Sequence, residues 1–140
     1  MAGYSGTPLV KKLGIKPGVS AAFINAPANF ISQLDLPEDV TVRSRTFKGK
    51  LDFILLFVKS SADLSKSFSV YASNLTANGM MWISWPKKAS GVKTDLTDNV
   101  VREFGLAAGL VDVKVCAVDD IWSGLKFVYR LQDRPKMRSK

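Results

Sequence analysis

Two adjacent ammonium groups, Lys87 and Lys88, followed by the Ser90 hydroxyl and Gly91, are the residues of this chain best suited to hold an anion. They follow the apolar run Met80–Trp85 and precede a helix-like segment. Both charges therefore stand beside a helix N-terminus, where phosphate or carboxylate is favoured. The alternative is an exposed loop whose lysines are solvated. A second cradle is Tyr4-Ser5-Gly6-Thr7, whose hydroxyls and backbone N–H groups precede a helix carrying Lys11 and Lys12. Ser5, Thr7, Lys11 and Lys12 complete the candidate anion-binding set, and simple N-capping by Thr7 accounts for the same pattern. The segment lacks the Gly-x-x-x-x-Gly-Lys-Ser/Thr spacing of a phosphate loop. Asp119 and Asp120 offer paired carboxylates for acid–base work or a cation, or else they form a tight hairpin turn. The rings of Trp82, Trp85 and Trp122 could stack on a base. Trp82 and Trp85 alternate to opposite faces of one strand, however, which sends at least one into a core. Cys116, within Val-Lys-Val-Cys-Ala-Val, reads as a buried structural thiol.

Absences narrow the chemistry further. The chain has no histidine and one cysteine. Serine and cysteine nucleophiles with a histidine base are excluded, as are zinc sites of the usual ligand sets. Acid–base work falls to Asp, Glu, Lys or Tyr. These residues call for no cofactor and no metal, and they lean away from an enzyme. They support a non-catalytic module that binds an anionic small molecule or a protein partner. A net charge of +8 and a pI near 9.8 also admit nucleic acid, with Arg43, Arg45, Lys48 and Lys50 the first residues to neutralise. The basic stretch 132–140 reads as a flexible tail behind a single domain over residues 1–131. A hydrophobic share of 46% with 23% charged residues fits a folded protein. No apolar run reaches the roughly 18 residues of a membrane span. The first residues lack a secretory signal, so a cytoplasmic location is expected.

The elements that must position these groups follow from periodicity. Thr7-Pro8 starts a short helix, with Thr7 as N-cap and Pro8 in the first turn, and Gly14 ends it. Val19–Asn25 reads as a buried strand, Ala26–Leu34 as a short helix, and Val40–Phe47 as an alternating strand. Leu51–Val58, apolar throughout, is the central strand. Ser61–Leu75 spaces Leu64, Phe68, Tyr71 and Leu75 as one helix face. Asn78-Gly79 turns the chain into the strand Met80–Trp85. Thr94 or Asp95 caps a helix whose inner face uses Val100, Val101, Phe104 and Leu106, with Gly105 and Gly109 weakening its end. Val111–Asp119 and Trp122–Arg130 form an antiparallel hairpin, with the second of these strands at a sheet edge. The alternation specifies an α/β fold. It is a Rossmann-like three-layer sandwich with a mostly parallel sheet and a C-terminal antiparallel hairpin.

Three stretches resemble the class I methyltransferases. Leu13-Gly14-Ile15-Lys16-Pro17-Gly18 is similar to the approach to that family's first strand. Leu51–Val58, a helix, Leu75-Thr76-Ala77-Asn78-Gly79 and a strand are similar to its fourth strand, helix and fifth strand. The closing helix and hairpin are similar to its last elements. The resemblance implies a Rossmann-like fold and S-adenosylmethionine as ligand. The chain departs from the pattern in three places. Asn25-Ala26-Pro27-Ala28-Asn29 holds no glycine where the cofactor loop needs it. Arg43, Arg45 and Lys48 stand where the family has a carboxylate for the ribose. The connection after the second strand is too short for the crossovers of a full methyltransferase.

A second resemblance is to a family of short bacterial proteins of unknown function. It rests on Gly3–Gly14, Ser84-Trp85-Pro86-Lys87-Lys88, Thr94-Asp95-Leu96 and Trp122-Ser123-Gly124-Leu125-Lys126-Phe127. It implies a bacterial cytoplasmic origin and supplies no activity.

Overall fold

A computed structural model describes residues 8–43 and 50–130. The central strand β3 (Leu51–Phe57) decides the architecture, because its apolar residues are buried on both faces. Such a strand must be covered twice, so the chain places helices on either side of it. β3 pairs in parallel with β1 (Ser20–Ile24) on one flank and with β4 (Leu75–Pro86) on the other. β1 in turn pairs in parallel with β2 (Thr41–Arg43). β6 (Trp122–Tyr129) runs antiparallel to β4, and β5 (Leu110–Ala117) antiparallel to β6. The six-stranded order is β2-β1-β3-β4-β6-β5. This is the mostly parallel α/β sheet with an antiparallel close that the sequence predicts. β6 is an interior strand, however, and β5 is the edge, contrary to the expectation for Trp122–Arg130. A second strand in a hairpin can return to the inside of its partner, and hydropathy alone does not say which does.

Alternation along the strands builds two cores. Ile54, Leu56, Met81, Ile83, Trp85, Leu125 and Phe127 face α2 (Ser61–Ala72) and α3 (Asp98–Ala107). Phe53, Leu55, Phe57, Trp82 and Trp122 face α1 (Leu9–Leu13) and the segment around Phe30. Trp82 and Trp85 do take opposite faces, and both are buried. The indole N–H of Trp82 donates to the Leu13 carbonyl at 2.9 Å, which seats α1 on the sheet, and among the described residues no buried side-chain polar atom lacks a partner. No helix among the described residues is long and apolar enough to cross a membrane.

Several boundaries differ from those the sequence suggests. Residues 26–34 form only a 3-10 turn at Ile31–Gln33, because Asn29 sits at φ 67°, a left-handed conformation that interrupts any helix. β2 is described over Thr41–Arg43 alone, and Arg45 and Lys48 lie outside the described residues. α2 stops at Ala72, and Leu75 opens β4, which runs through Asn78-Gly79 without turning. The register of β3 on β4 slips there, from Leu51 opposite Leu75 to Phe53 opposite Met80. Pro8 takes the N-cap position of α1, and Thr7 lies outside the described residues.

The two larger helices begin on matched side chains. Ser60 accepts the Asp63 N–H at 3.1 Å to cap α2, and Thr97 accepts the Val100 N–H at 3.2 Å to cap α3. Neither Thr94 nor Asp95 caps α3. Asp95 reaches across to α2, taking the Ser61 N–H at 2.8 Å and the Ser61 hydroxyl at 2.7 Å. These donors, the hydroxyl foremost, hold the Asp95 carboxyl below its ordinary value of 3.8. On α3 the buried stripe is Val101 and Gly105, while Leu106 is 40% exposed. Gly105 is a point of close approach, since a Cβ there would lie 2.0 Å from the Phe127 ring.

Gly105→Ala should therefore destabilise the fold by about 1–3 kcal/mol in urea denaturation, as overpacking does, despite alanine's better helix propensity. A variant as stable as the parent would show that α3 can lift off β6. Asp95 gives a pH test. Its folded-state pKa is depressed, so its contribution is fully present above 3.8 and is lost as pH falls through the lower folded value. The melting-temperature gap between parent and Asp95→Asn should be constant above that pH and close below it. A gap independent of pH would show that the carboxylate charge is not involved.

Candidate functional site

The strand order reverses between β1 and β3. From β1 the chain moves out to β2, and from β3 it moves the other way to β4. The loops leaving these two strands diverge to opposite faces and leave a crevice beyond their carboxyl ends, the usual ligand position in open α/β sheets. Asn25 and Pro27 from the β1 loop form one wall. Val58, Lys59 and Asp63, from the end of β3 and the first turn of α2, form another. The β5–β6 turn arrives at the same end of the sheet and contributes Ile121 and Trp122, with Val92 closing the side. The enclosed space is about 430 Å³, within the span of small-molecule sites, roughly 300–1,000 Å³.

Its floor is aromatic. Phe57 and Trp122 meet edge to face with centroids 5.0 Å apart, and Phe30 meets Phe57 at 5.1 Å. A shallower hollow of about 550 Å³ adjoins it, sharing Asn25 and Pro27 and running along Asn29, Phe30 and Ser32. An elongated ligand could lie across both. The β1 loop turns sharply because Asn25 adopts φ 60° and Asn29 φ 67°. Asparagine tolerates this left-handed region better than most residues and here takes the conformation that glycine would. Unlike glycine, it adds a side chain where the loop borders the crevice.

Each residue singled out from the sequence has a definite place. Asp119 is a turn former, its carboxylate accepting the N–H groups of Ile121 and Trp122, each at 2.8 Å. It thereby fixes two residues that line the crevice. Asp120 is exposed beside it. Ser90 is engaged within its own loop, donating to the Lys87 carbonyl at 2.6 Å and accepting the Val92 N–H at 3.1 Å. The Lys87 N–H donates to the Ile121 carbonyl at 2.7 Å, which ties the β4 loop to the hairpin turn. Lys87 and Lys88 line a separate hollow of about 390 Å³ with Thr94, Thr97 and Val115. That hollow also contains Asp98, and the α3 terminus beside it is already capped by Thr97, which weakens its pull on an anion. Lys11 and Lys12 lie in the last turn of α1, among the carbonyls that favour cations there. Ser5 and Thr7 lie outside the described residues. Cys116 is half-buried rather than buried, and that burial pushes its thiol up.

Sequence reasoning missed Phe57, Lys59, Asp63 and Ile121. The signal was Lys59-Ser60-Ser61, the first polar residues after the most apolar run. Their weight is visible only once the order β1-β3 is known, because any strand end looks equivalent before that.

No protein-family model matches this sequence, and no curated protein matches it. Its similarity is to solved structures. A SAM-dependent methyltransferase from Aquifex aeolicus aligns with a TM-score of 0.63 at 14% identity, over 85% of this chain and 86% of that one. Magnesium protoporphyrin IX methyltransferase from Synechocystis, solved with bound SAH, gives 0.59 at 10% identity, over 87% and 78%. A methyltransferase from Pyrococcus furiosus gives 0.56 at 14% identity, over 85% and 78%. At these identities the likeness is one of fold, and the fold of this chain is the Rossmann-like α/β fold of SAM-dependent methyltransferases.

Proposed function

We propose that this protein is a relative of the S-adenosylmethionine-dependent methyltransferases and binds an adenosyl sulfonium or thioether in the crevice between the β1 and β3 loops. The observation that carries the reading is the coincidence of that crevice with the switch point of a methyltransferase-like sheet. The residues present suit such a ligand in kind. Phe57, Ile121 and Trp122 supply apolar surface for a purine or a thioether arm. Asp63 places a carboxylate where a sulfonium or ammonium group would be stabilised, and Lys59 an ammonium for the ligand's carboxylate. A sulfonium carries its own activated methyl group, so the lack of histidine in this chain is no obstacle. What the protein supplies is position and a water-poor wall.

Two features favour a second reading, a non-catalytic module that binds an anion beside Lys87 and Lys88. The β1 loop contains no glycine, so side chains stand where backbone would otherwise approach the ligand. The described part of β2, Thr41–Arg43, also carries no carboxylate suited to ribose hydroxyls.

Thermal denaturation separates the two readings, because a ligand bound only by the folded state must raise its stability. S-adenosylmethionine or S-adenosylhomocysteine should raise the melting temperature. At about a hundredfold excess over Kd the stabilisation is about 2.7 kcal/mol. Ile121→Glu and Asp63→Ala, both exposed and both in the crevice wall, should abolish the shift. The double variant Lys87→Ala/Lys88→Ala should keep it. No shift with either adenosyl compound would sink the first reading. A shift with inorganic phosphate that disappears in the lysine double variant would establish the second.

A further inference from the structure

Four lysines gather on the face of the sheet that carries α1, away from the crevice. They are Lys12 in the last turn of α1, Lys16 in the connection to β1, Lys114 on β5 and Lys126 on β6. The β5–β6 register sets Lys114 directly opposite Lys126, a cross-strand position at which like charges repel. The Lys114 ammonium donates to the Lys12 carbonyl at 3.1 Å, which draws β5 and α1 together at this point. The Lys126 ammonium lies 3.8 Å from the place a Cβ on Gly14 would take. Lys126 is half-buried next to Trp82, its register partner on β4.

No carboxylate among the described residues offsets this concentration. The ion pair among the described residues is Arg102–Asp112, and none of the four lysines has an acidic partner there. Burial lowers the Lys126 pKa, and the charges of Lys114 and Lys16 lower it further. The same environment is felt by Cys116, on which Lys114 and Lys12 act. A neutral residue at 126 would suit the alternation of β6 equally well and would relieve the repulsion. Beyond the Lys114 contact to the Lys12 carbonyl, the described fold draws no ion pair from these four charges, whereas a polyanion would pair with them.

We propose that this face docks the phosphodiester backbone of a nucleic acid. The charges come from a helix, a loop and two strands, and Lys16 and Lys114 are exposed. That spread suits an extended polyanion, while a single small anion is better held by an enclosed cage. Anchoring to a bilayer calls for apolar side chains among the lysines. Val115, the exposed residue after Lys114, opens instead onto the hollow beside α3 on the opposite face. Val113 sits where the β5 register slips. Phosphate contacts of this kind give binding without sequence preference and with strong salt dependence.

The experiment is fluorescence anisotropy of a labelled, mixed-sequence RNA oligonucleotide titrated with the full chain across a salt series. The Lys114→Gln/Lys126→Gln double variant should bind about tenfold or more weakly at low salt. Its slope of log K on log salt should be shallower by about 1.4, at roughly 0.7 per phosphate contact on a single strand. Its melting temperature should stay within a few degrees of the parent's, relief of the Lys114–Lys126 repulsion offsetting the lost contact to the Lys12 carbonyl, so the loss is not one of folding. Lys66→Gln/Lys93→Gln, exposed lysines from α2 and the loop before α3, serves as the charge-matched control and should bind as the parent does. The proposal is overturned if the first double variant binds like the parent, or if the control loses as much. It is also overturned if anionic phosphatidylserine vesicles bind while the oligonucleotide does not. The outcome is independent of whether the crevice takes an adenosyl ligand.

Discussion

Everything in this molecule depends on β3 being buried on both faces. A strand with no wet side cannot lie at the surface, so its neighbours must be strands and its covers must be helices. Parallel neighbours then demand crossovers, and crossovers on opposite faces demand that the chain reverse its direction of travel across the sheet. The reversal falls between β1 and β3, and the crevice is its geometric by-product. The same burial explains why the wall residues come from loops. The strands themselves have spent their side chains on the two cores, and only what lies beyond their ends can face a ligand.

Fixing the two layers to the sheet takes few polar contacts. The Trp82 indole reaches the Leu13 carbonyl on one side. On the other, the Tyr129 hydroxyl donates to the Ala72 carbonyl at the end of α2 at 2.8 Å. Ser84, the buried polar side chain of β4, donates to the Ser123 carbonyl at 2.8 Å and so costs nothing. Asp52 takes the Ser20 N–H at 3.0 Å and the Thr76 hydroxyl at 3.2 Å. It ties the start of β1 to the irregular opening of β4, the one place where the parallel register slips.

The strands were legible in the sequence because their signal is local. A run such as Leu51–Phe57 admits little but a buried strand, and the close spacing of the last two strands forces an antiparallel pair. What failed was anything that depended on backbone torsion or on an absent side chain. The periodicity of residues 26–34 gave no warning that Asn29 would turn left-handed. Gly105, having no side chain, carries no hydrophobic signal, so of the expected inner face of α3 Val100, Val101 and Phe104 pack inward while Leu106 stands exposed in its place. In Thr94-Asp95-Leu96-Thr97 several residues are chemically able to cap a helix. Burial of Leu96 chose Thr97 and freed Asp95 to brace α2. The site was legible only in part for a related reason. Lys87 and Lys88 are conspicuous by charge, whereas a crevice is a property of strand order, and strand order is not written at any single residue.

The two margins of the sheet are unlike the middle. At one end lies β2, described over Thr41–Arg43. At the other, β5 carries Lys114 on its outer strand and loses register between Asp112 and Lys114. An incoming chain seeking to extend the sheet at β5 would meet a kinked, charged run. Six strands of which four are rich in aromatic and aliphatic residues would otherwise be a good template for fibre growth. The slip in β5 makes that margin a poor template for a further strand.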